Sequence, residues 1–240
     1  MNASAFPVVA CALALAIAAA APALPAAADG QPPFDGYDAY WQTLPRPLFT
    51  TADERKLDDP QSLDGQAFLA WGAVPPDGHA FAPRQHRVEI LGPDLTVDRR
   101  ALPFARAQVF PGEVAAELGA DARLFVGARD VCVQGTAPSA SGTAQRHVHV
   151  VLVTDAFTRK ARRHDLPSLF GSCLALRKDE GGDLRFPEGR YHTPDGAPAS
   201  DGVDFQQWLL RDGRFVRTTG QWKVRFPDPE NVYRFNAVGP

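Results

Sequence analysis

The sequence predicts a mainly β fold: an antiparallel β-sandwich or open barrel with one or two short helices and a C-terminal antiparallel meander. Three observations point there. Apolar runs with a period of two recur between Gly and Pro clusters, the pattern of half-buried strands. Amphipathic segments of helical length are nearly absent. Asp212-Gly213 stands between two such runs, a dipeptide suited to a two-residue hairpin turn.

Residues 1–28 read as a cleaved signal peptide. VVACALALAIAAAA (8–21) is an apolar run of secretory length closed by Pro22, and Ala26 and Ala28 occupy the small-residue positions of a cleavage site after Ala28. The run is too short to span a bilayer, so no transmembrane segment is expected after cleavage. MNASAF lacks the usual Lys or Arg, and Cys11 precedes most of the apolar run, which argues against a lipid anchor.

Residues 29–65 read as an extended lead-in with a short helix. QPPFDGYDAYWQTLPRPLF is rich in Pro and aromatics and shows no period, with Tyr37, Tyr40 and Trp41 as its anchors to the body. Thr51-Ala-Asp-Glu54 has the form of a capping box, which predicts a short helix to about Leu57, ended by Asp58-Asp59-Pro60.

Residues 66–240 read as a single β-rich domain. QAFLAWGAV (66–74), HRVEILG (86–92) and ARLFVGARDVCVQG (122–135) are strand-like, and PGEVAAELGAD (111–121) reads as a short helix with Gly119 past its end. TAPSASGTA (136–144) is a loop of small residues. RHVHVVLV (146–153) begins a strand, TRKARRHD (158–165) is a basic loop, and LFGSCLALR (169–177) is a further strand that EGGD (180–183) turns back. In DFQQWLLRDGRFVRTTG (204–220), a two-residue turn sets Arg211 opposite Arg214, Leu210 opposite Phe215 and Trp208 opposite Arg217, the last a candidate cation–π pair. QWKVRF (221–226) alternates Trp222, Val224 and Phe226 with Lys223 and Arg225, and VYRFNAV (232–238) completes the meander.

A formal net charge of -3 and a pI near 6.1 give no electrostatic case for nucleic acid. Abundant Ala, Arg and Pro with little Lys or Asn suggest a GC-rich bacterial genome, so the expected location is the periplasm or the outside. Cys132 and Cys173 remain after cleavage, and an even count in an exported chain predicts one disulfide between them. A catalytic thiol at Cys173 is the weaker reading. Strand alternation turns Cys132 away from Val131 and Val133.

Candidates for chemistry are few. Alternation puts His147 and His149 on one strand face, where paired histidines can ligate a metal, but no third ligand is visible and neither metal nor cofactor is expected. Asp195, Asp201 and Asp204 lie in an acidic, glycine-containing loop that lacks EF-hand spacing and reads first as ordinary Asp-Gly turns, with calcium the lesser reading. Arg159, Lys160, Arg162 and Arg163 form the one dense charge cluster and are the candidate contacts for a protein partner. Ser139 and Ser141 lack a nucleophile-elbow context, and the carboxylate pairs Asp179-Glu180 and Asp228 with Glu230 fall in turns. The expectation is therefore a binding protein that contacts another protein, for example an inhibitor or immunity partner of a secreted toxin. The alternatives are a metal-assisted hydrolase using His147 and His149, and a glycan-binding module stacking sugars on Trp71, Trp208 and Trp222.

Overall fold

The computed structural model of the 240-residue chain describes residues 32–55, 88–91, 94–97, 100–102, 108–114, 118, 122–137 and 140–238. The signal peptide, the 66–74 strand with Trp71, Ser139 and most of the 111–121 helix lie outside the described residues.

The strands along the chain are β1 (Phe34–Asp35), β2 (Glu54–Arg55), β3 (Val88–Leu91), β4 (Asp94–Val97), β5 (Arg100–Leu102), β6 (Gln108–Val109), β7 (Arg123–Val126), β8 (Val131–Gly135), β9 (His149–Thr154), β10 (Arg162–Leu166), β11 (Arg177–Lys178), β12 (Leu184–His192), β13 (Gly202–Arg211), β14 (Arg214–Arg225) and β15 (Arg234–Val238). One sheet, in the order β1-β15-β14-β13-β12-β11, is antiparallel throughout and curls into a half-barrel. A second runs β2-β7-β8-β9-β10-β6, antiparallel except for the β10–β6 pair. β3, β4 and β5 form a small third sheet. The fold is mainly β and fits a sandwich or open barrel.

The main core lies between the two large sheets. Phe125, Cys132, Val150 and Leu152 come from one side and Phe186, Val203, Phe205, Trp222, Val224 and Phe235 from the other. The opposite face of the second sheet is also covered: Leu124, Val131, Val133, Val151 and Val153 pack with Val97 and Leu118 in a second cluster. This explains the unbroken VVLV run of β9, since a strand buried on both faces has no wet side to alternate with.

The lead-in is not extended throughout. Tyr37–Thr43 form α1, entered through Gly36 at φ 90°, a backbone state that favours glycine. Tyr37, Tyr40 and Trp41 stand three and four residues apart, so one turn points all three inward, and all three are buried. The helix expected at residues 51–57 is a single 3-10 turn, Thr51–Asp53. Its box sits one residue earlier than the sequence suggests: the Asp53 carboxylate accepts from the Thr50 amide at 2.8 Å and the Thr50 hydroxyl at 2.9 Å. Glu54 is drawn instead to Arg123, whose guanidinium reaches its two oxygens at 2.8 and 2.7 Å and lowers its pKa. The same arginine reaches Asp38 of α1 at 2.6 Å, fastening the helix to β7.

The C-terminal hairpin has the predicted register, with Arg211 opposite Arg214, Leu210 opposite Phe215 and Trp208 opposite Arg217. Asp212 and Gly213 have φ of 51° and 70°, the positive values a tight two-residue turn requires. Arg217, however, donates to Gln206 Oε1 at 2.8 Å, and the Trp208 indole donates to Glu188 at 2.9 Å. RFVRTTG and QWKVR form one strand: β14 continues past Gly220 through an irregularity opposite Gln206–Trp208, so the meander is β12-β13-β14-β15. A Cβ at Gly220 would lie 2.9 Å from Gln207 Oε1, which suits glycine there.

LFGSCLALR is not a continuous strand. Phe170 has φ 51°, and a Cβ at Gly171 would lie 2.6 Å from the Val148 carbonyl, so the backbone turns tightly there. Cys173–Ala175 then form a 3-10 turn capped by the Ser172 hydroxyl. That turn carries Cys173 to Cys132 on β8, and the two form a disulfide with Cα atoms 5.9 Å apart. Cys132 packs in the main core while Val131 and Val133 pack in the second cluster, as alternation requires.

Candidate functional site

The basic segment is not simply a loop. Residues 162–166 pair with β9 as β10, placing Arg163 opposite Val153 and Asp165 opposite Val151. Arg163 therefore points into the protein and is only 4% exposed, a correction to its assignment as a partner contact. Its guanidinium meets the Asp165 carboxylate in a two-point pair at 3.0 and 2.8 Å, which makes burial of both charges tolerable. Arg159, Lys160 and Arg162 remain exposed.

These three line a cleft of roughly 900 Å³ where the β9–β10 connection faces the β11–β12 and β13–β14 turns. Arg162 bridges toward the hairpin: a Cβ at Gly213 would lie 3.0 Å from its Nη1. Elsewhere in the cleft, Arg129 pairs with Asp155, Lys178 with Asp130 at 3.9 Å, and Asp183 with Arg211 at 2.5 Å. Among the described residues no carboxylate lies within ion-pair reach of Arg159, Lys160 or Arg162. The β9–β10 connection thus presents three cations unpaired among the described residues, and of the acids lining the cleft Asp130, Asp155 and Asp183 are already paired, which leaves Asp212.

His164 sits at the back of the cleft. Its Nδ1 lies 3.2 Å from Gln108 Oε1 and its Nε2 lies 3.3 Å from the Thr154 hydroxyl, an arrangement that suits the neutral ring. Burial, aided by Arg162, brings its pKa down from 6.5 to about 4. The unfolded chain takes up this proton below pH 6.5 and the folded one only near pH 4, so stability present above 6.5 is lost across that interval. The expected loss is roughly 3 kcal/mol. Urea denaturation of wild type and His164→Gln between pH 7 and 4 checks it: the variant should show a shallower decline, and parallel declines would contradict the assignment.

The opposite end of the sheets holds the paired histidines. His147 does not lie in β9; it follows the 3-10 turn Gly142–Arg146 and bridges to Leu169. Its Nδ1 is 3.0 Å from the Ser168 hydroxyl, and Glu113 accepts from the Ser168 amide at 3.0 Å. His149 begins β9 opposite Gly135. Among the described residues no three His, Cys, Asp or Glu side chains converge at metal-binding reach.

Asp201 and Asp204 lie on opposite sides of the His192 ring, 3.9 Å from Nε2 and 3.1 Å from Nδ1, and both approach Arg225. Asp195 falls in the turn beyond β12. Of the candidate sugar-stacking tryptophans, Trp222 is buried and stacked on Phe205, and half-buried Trp208 takes the edge of Phe110.

Near His147, four residues not singled out by sequence reasoning, Arg146, Phe170, Tyr191 and Tyr233, come together with Tyr37 of the lead-in. Phe170 stacks on Tyr37 with centroids 4.2 Å apart and meets the rings of Tyr191 and Tyr233 edge-on, each at 5.9 Å. Arg146 Nη1 donates to the Tyr191 hydroxyl at 3.0 Å. Tyr191 and Tyr233 are 37% and 43% exposed, whereas Tyr37 is 6% exposed and its hydroxyl has no hydrogen-bond partner. Burial raises the pKa of Tyr37 far above the ordinary phenol range, with Tyr191 and Tyr233 adding to it and Arg146 opposing. These positions span almost 200 residues of chain, and no local pattern links them.

Comparison with known proteins finds no matching family model, no matching curated protein and no matching solved structure.

Proposed function

We propose that this chain is an exported bacterial binding protein that holds an acidic segment of a protein partner in the charged cleft, for example as an inhibitor or immunity partner of a secreted toxin. The observation that carries this reading is the exposed trio Arg159, Lys160 and Arg162, without carboxylate partners among the described residues, while Asp130, Asp155 and Asp183 beside them already have theirs. Arginine is favoured at protein interfaces, and a local cationic wall steers an acidic surface into register. The acidic chain as a whole disfavours nucleic acid as the occupant. The disulfide fits the oxidising compartment that the N-terminal sequence implies, the periplasm or the exterior.

The test is capture of partners on the wild-type protein, followed by binding kinetics of the identified partner with the Arg159→Glu, Lys160→Glu, Arg162→Glu triple variant. Because these side chains are exposed, folding should persist while association slows about tenfold or more, with a reduced dependence on salt. An unchanged association rate would sink the proposal.

A further inference from the structure

We propose that Arg146, Tyr37, Tyr191 and Tyr233 form a receptor for a single carboxylate, at the end of the sheets opposite the charged cleft. Two independent features meet there. Arg146 offers a guanidinium with no carboxylate in ion-pair reach among the described residues, and its Nη1 is spent on a neutral phenol at 3.0 Å. In the same cluster, linked through Tyr191 and Phe170, the Tyr37 hydroxyl is buried without a hydrogen-bond partner.

A buried donor left unpaired is costly, and its persistence in a well-packed aromatic cluster needs an explanation. The ring of Tyr37 is fixed by stacking on Phe170 at 4.2 Å and on Phe235 at 4.4 Å, so the hydroxyl cannot turn away to find water. Backbone bonds hold the surroundings in place: the Phe170 amide donates to the Arg146 carbonyl at 2.8 Å, and the Gly36 amide to the Tyr233 carbonyl at 2.8 Å. By comparison the two outer rings of the cluster are lightly held. Tyr191 and Tyr233 touch Phe170 only edge-on and stand at the surface, where side chains change rotamer within nanoseconds.

The chemistry selects the ligand. One guanidinium and three phenol hydroxyls supply donors and a single positive charge, which matches a monoanionic oxyanion with two acceptor oxygens. On entry the carboxylate replaces the Tyr191 hydroxyl as the partner of Arg146 and accepts from Tyr37, while the displaced tyrosine rings close over its apolar body. A free organic acid and a peptide C-terminus share this chemistry.

A heteronuclear NMR titration of the protein, followed at the Arg146 Nε–Hε signal, tests it with three probes: benzoate, Gly-Gly-Phe with a free C-terminus, and the same peptide amidated. Saturable shifts with benzoate, with the free-acid peptide, or with both support the receptor and identify the source of the carboxylate. Arg146→Gln and Tyr37→Phe should each weaken that binding about tenfold. Tyr37→Phe should at the same time raise the melting temperature of the free protein, since it removes the orphan hydroxyl. Three outcomes overturn the proposal: no saturation by either carboxylate in the millimolar range, equal binding of the amide, or unchanged affinity in Arg146→Gln. That last variant changes a side chain at the surface and keeps the test decisive if Tyr37→Phe fails to fold.

Discussion

Reduction of the Cys132–Cys173 bridge, or Cys173→Ser, is expected to lower folding stability by roughly 4 kcal/mol in the chain-entropy description, for a closed loop of 41 residues. That is a large share of the 5–15 kcal/mol typical of a domain. The loop holds β9 and β10, so the crosslink restrains the segment that builds the cationic wall of the cleft. Both cysteines are fully buried, and the Cys173 amide donates to Gln134 Oε1 at 2.7 Å, so the native geometry is held from two sides. Urea denaturation with and without reductant measures the loss as a shifted midpoint. Two thiols labelled in denatured, unreduced protein would show that no bridge had formed.

The second large effect lies in β10. Asp165→Ala should destabilise the fold by about 3–5 kcal/mol, because it removes the carboxylate that meets the buried Arg163 guanidinium at two points. The pair itself need not be strongly stabilising, since both charges give up water to form it. Replacing both, as Arg163→Met with Asp165→Leu, should therefore cost clearly less than Asp165→Ala alone. A double-mutant cycle by chemical denaturation checks this: single changes that add without coupling would mean the two side chains do not act as a unit.

Much of the strand architecture was legible because it is written locally. Alternation in QWKVRF placed Trp222, Val224 and Phe226 inward, and Asp212-Gly213 set the hairpin register residue by residue, since a two-residue turn with both φ positive matches the twist of the strands it joins. The disulfide followed from cysteine count and compartment. Even α1 had a local signal, in the spacing of Tyr37, Tyr40 and Trp41, masked by the surrounding prolines.

The charged segment was harder to read, because a run of Arg and Lys carries the same composition whether solvated or buried. Which arginine turns inward depends on the register of β10 against β9, and that is set by the neighbouring strand. Arg-x-Asp at a spacing of two was the one available hint, as it places opposite charges on a single strand face. By itself the sequence determined the class of fold and the hairpin, which rest on neighbours in the chain, and the crosslink, which rests on there being two cysteines beyond the N-terminal run. Only the tertiary structure decided that Arg163 is internal while Arg159, Lys160 and Arg162 face a cleft, and that Tyr37, Arg146, Tyr191 and Tyr233 converge. Those outcomes depend on which distant segments are brought together when two sheets close over one core, and no periodicity along the chain encodes that distance.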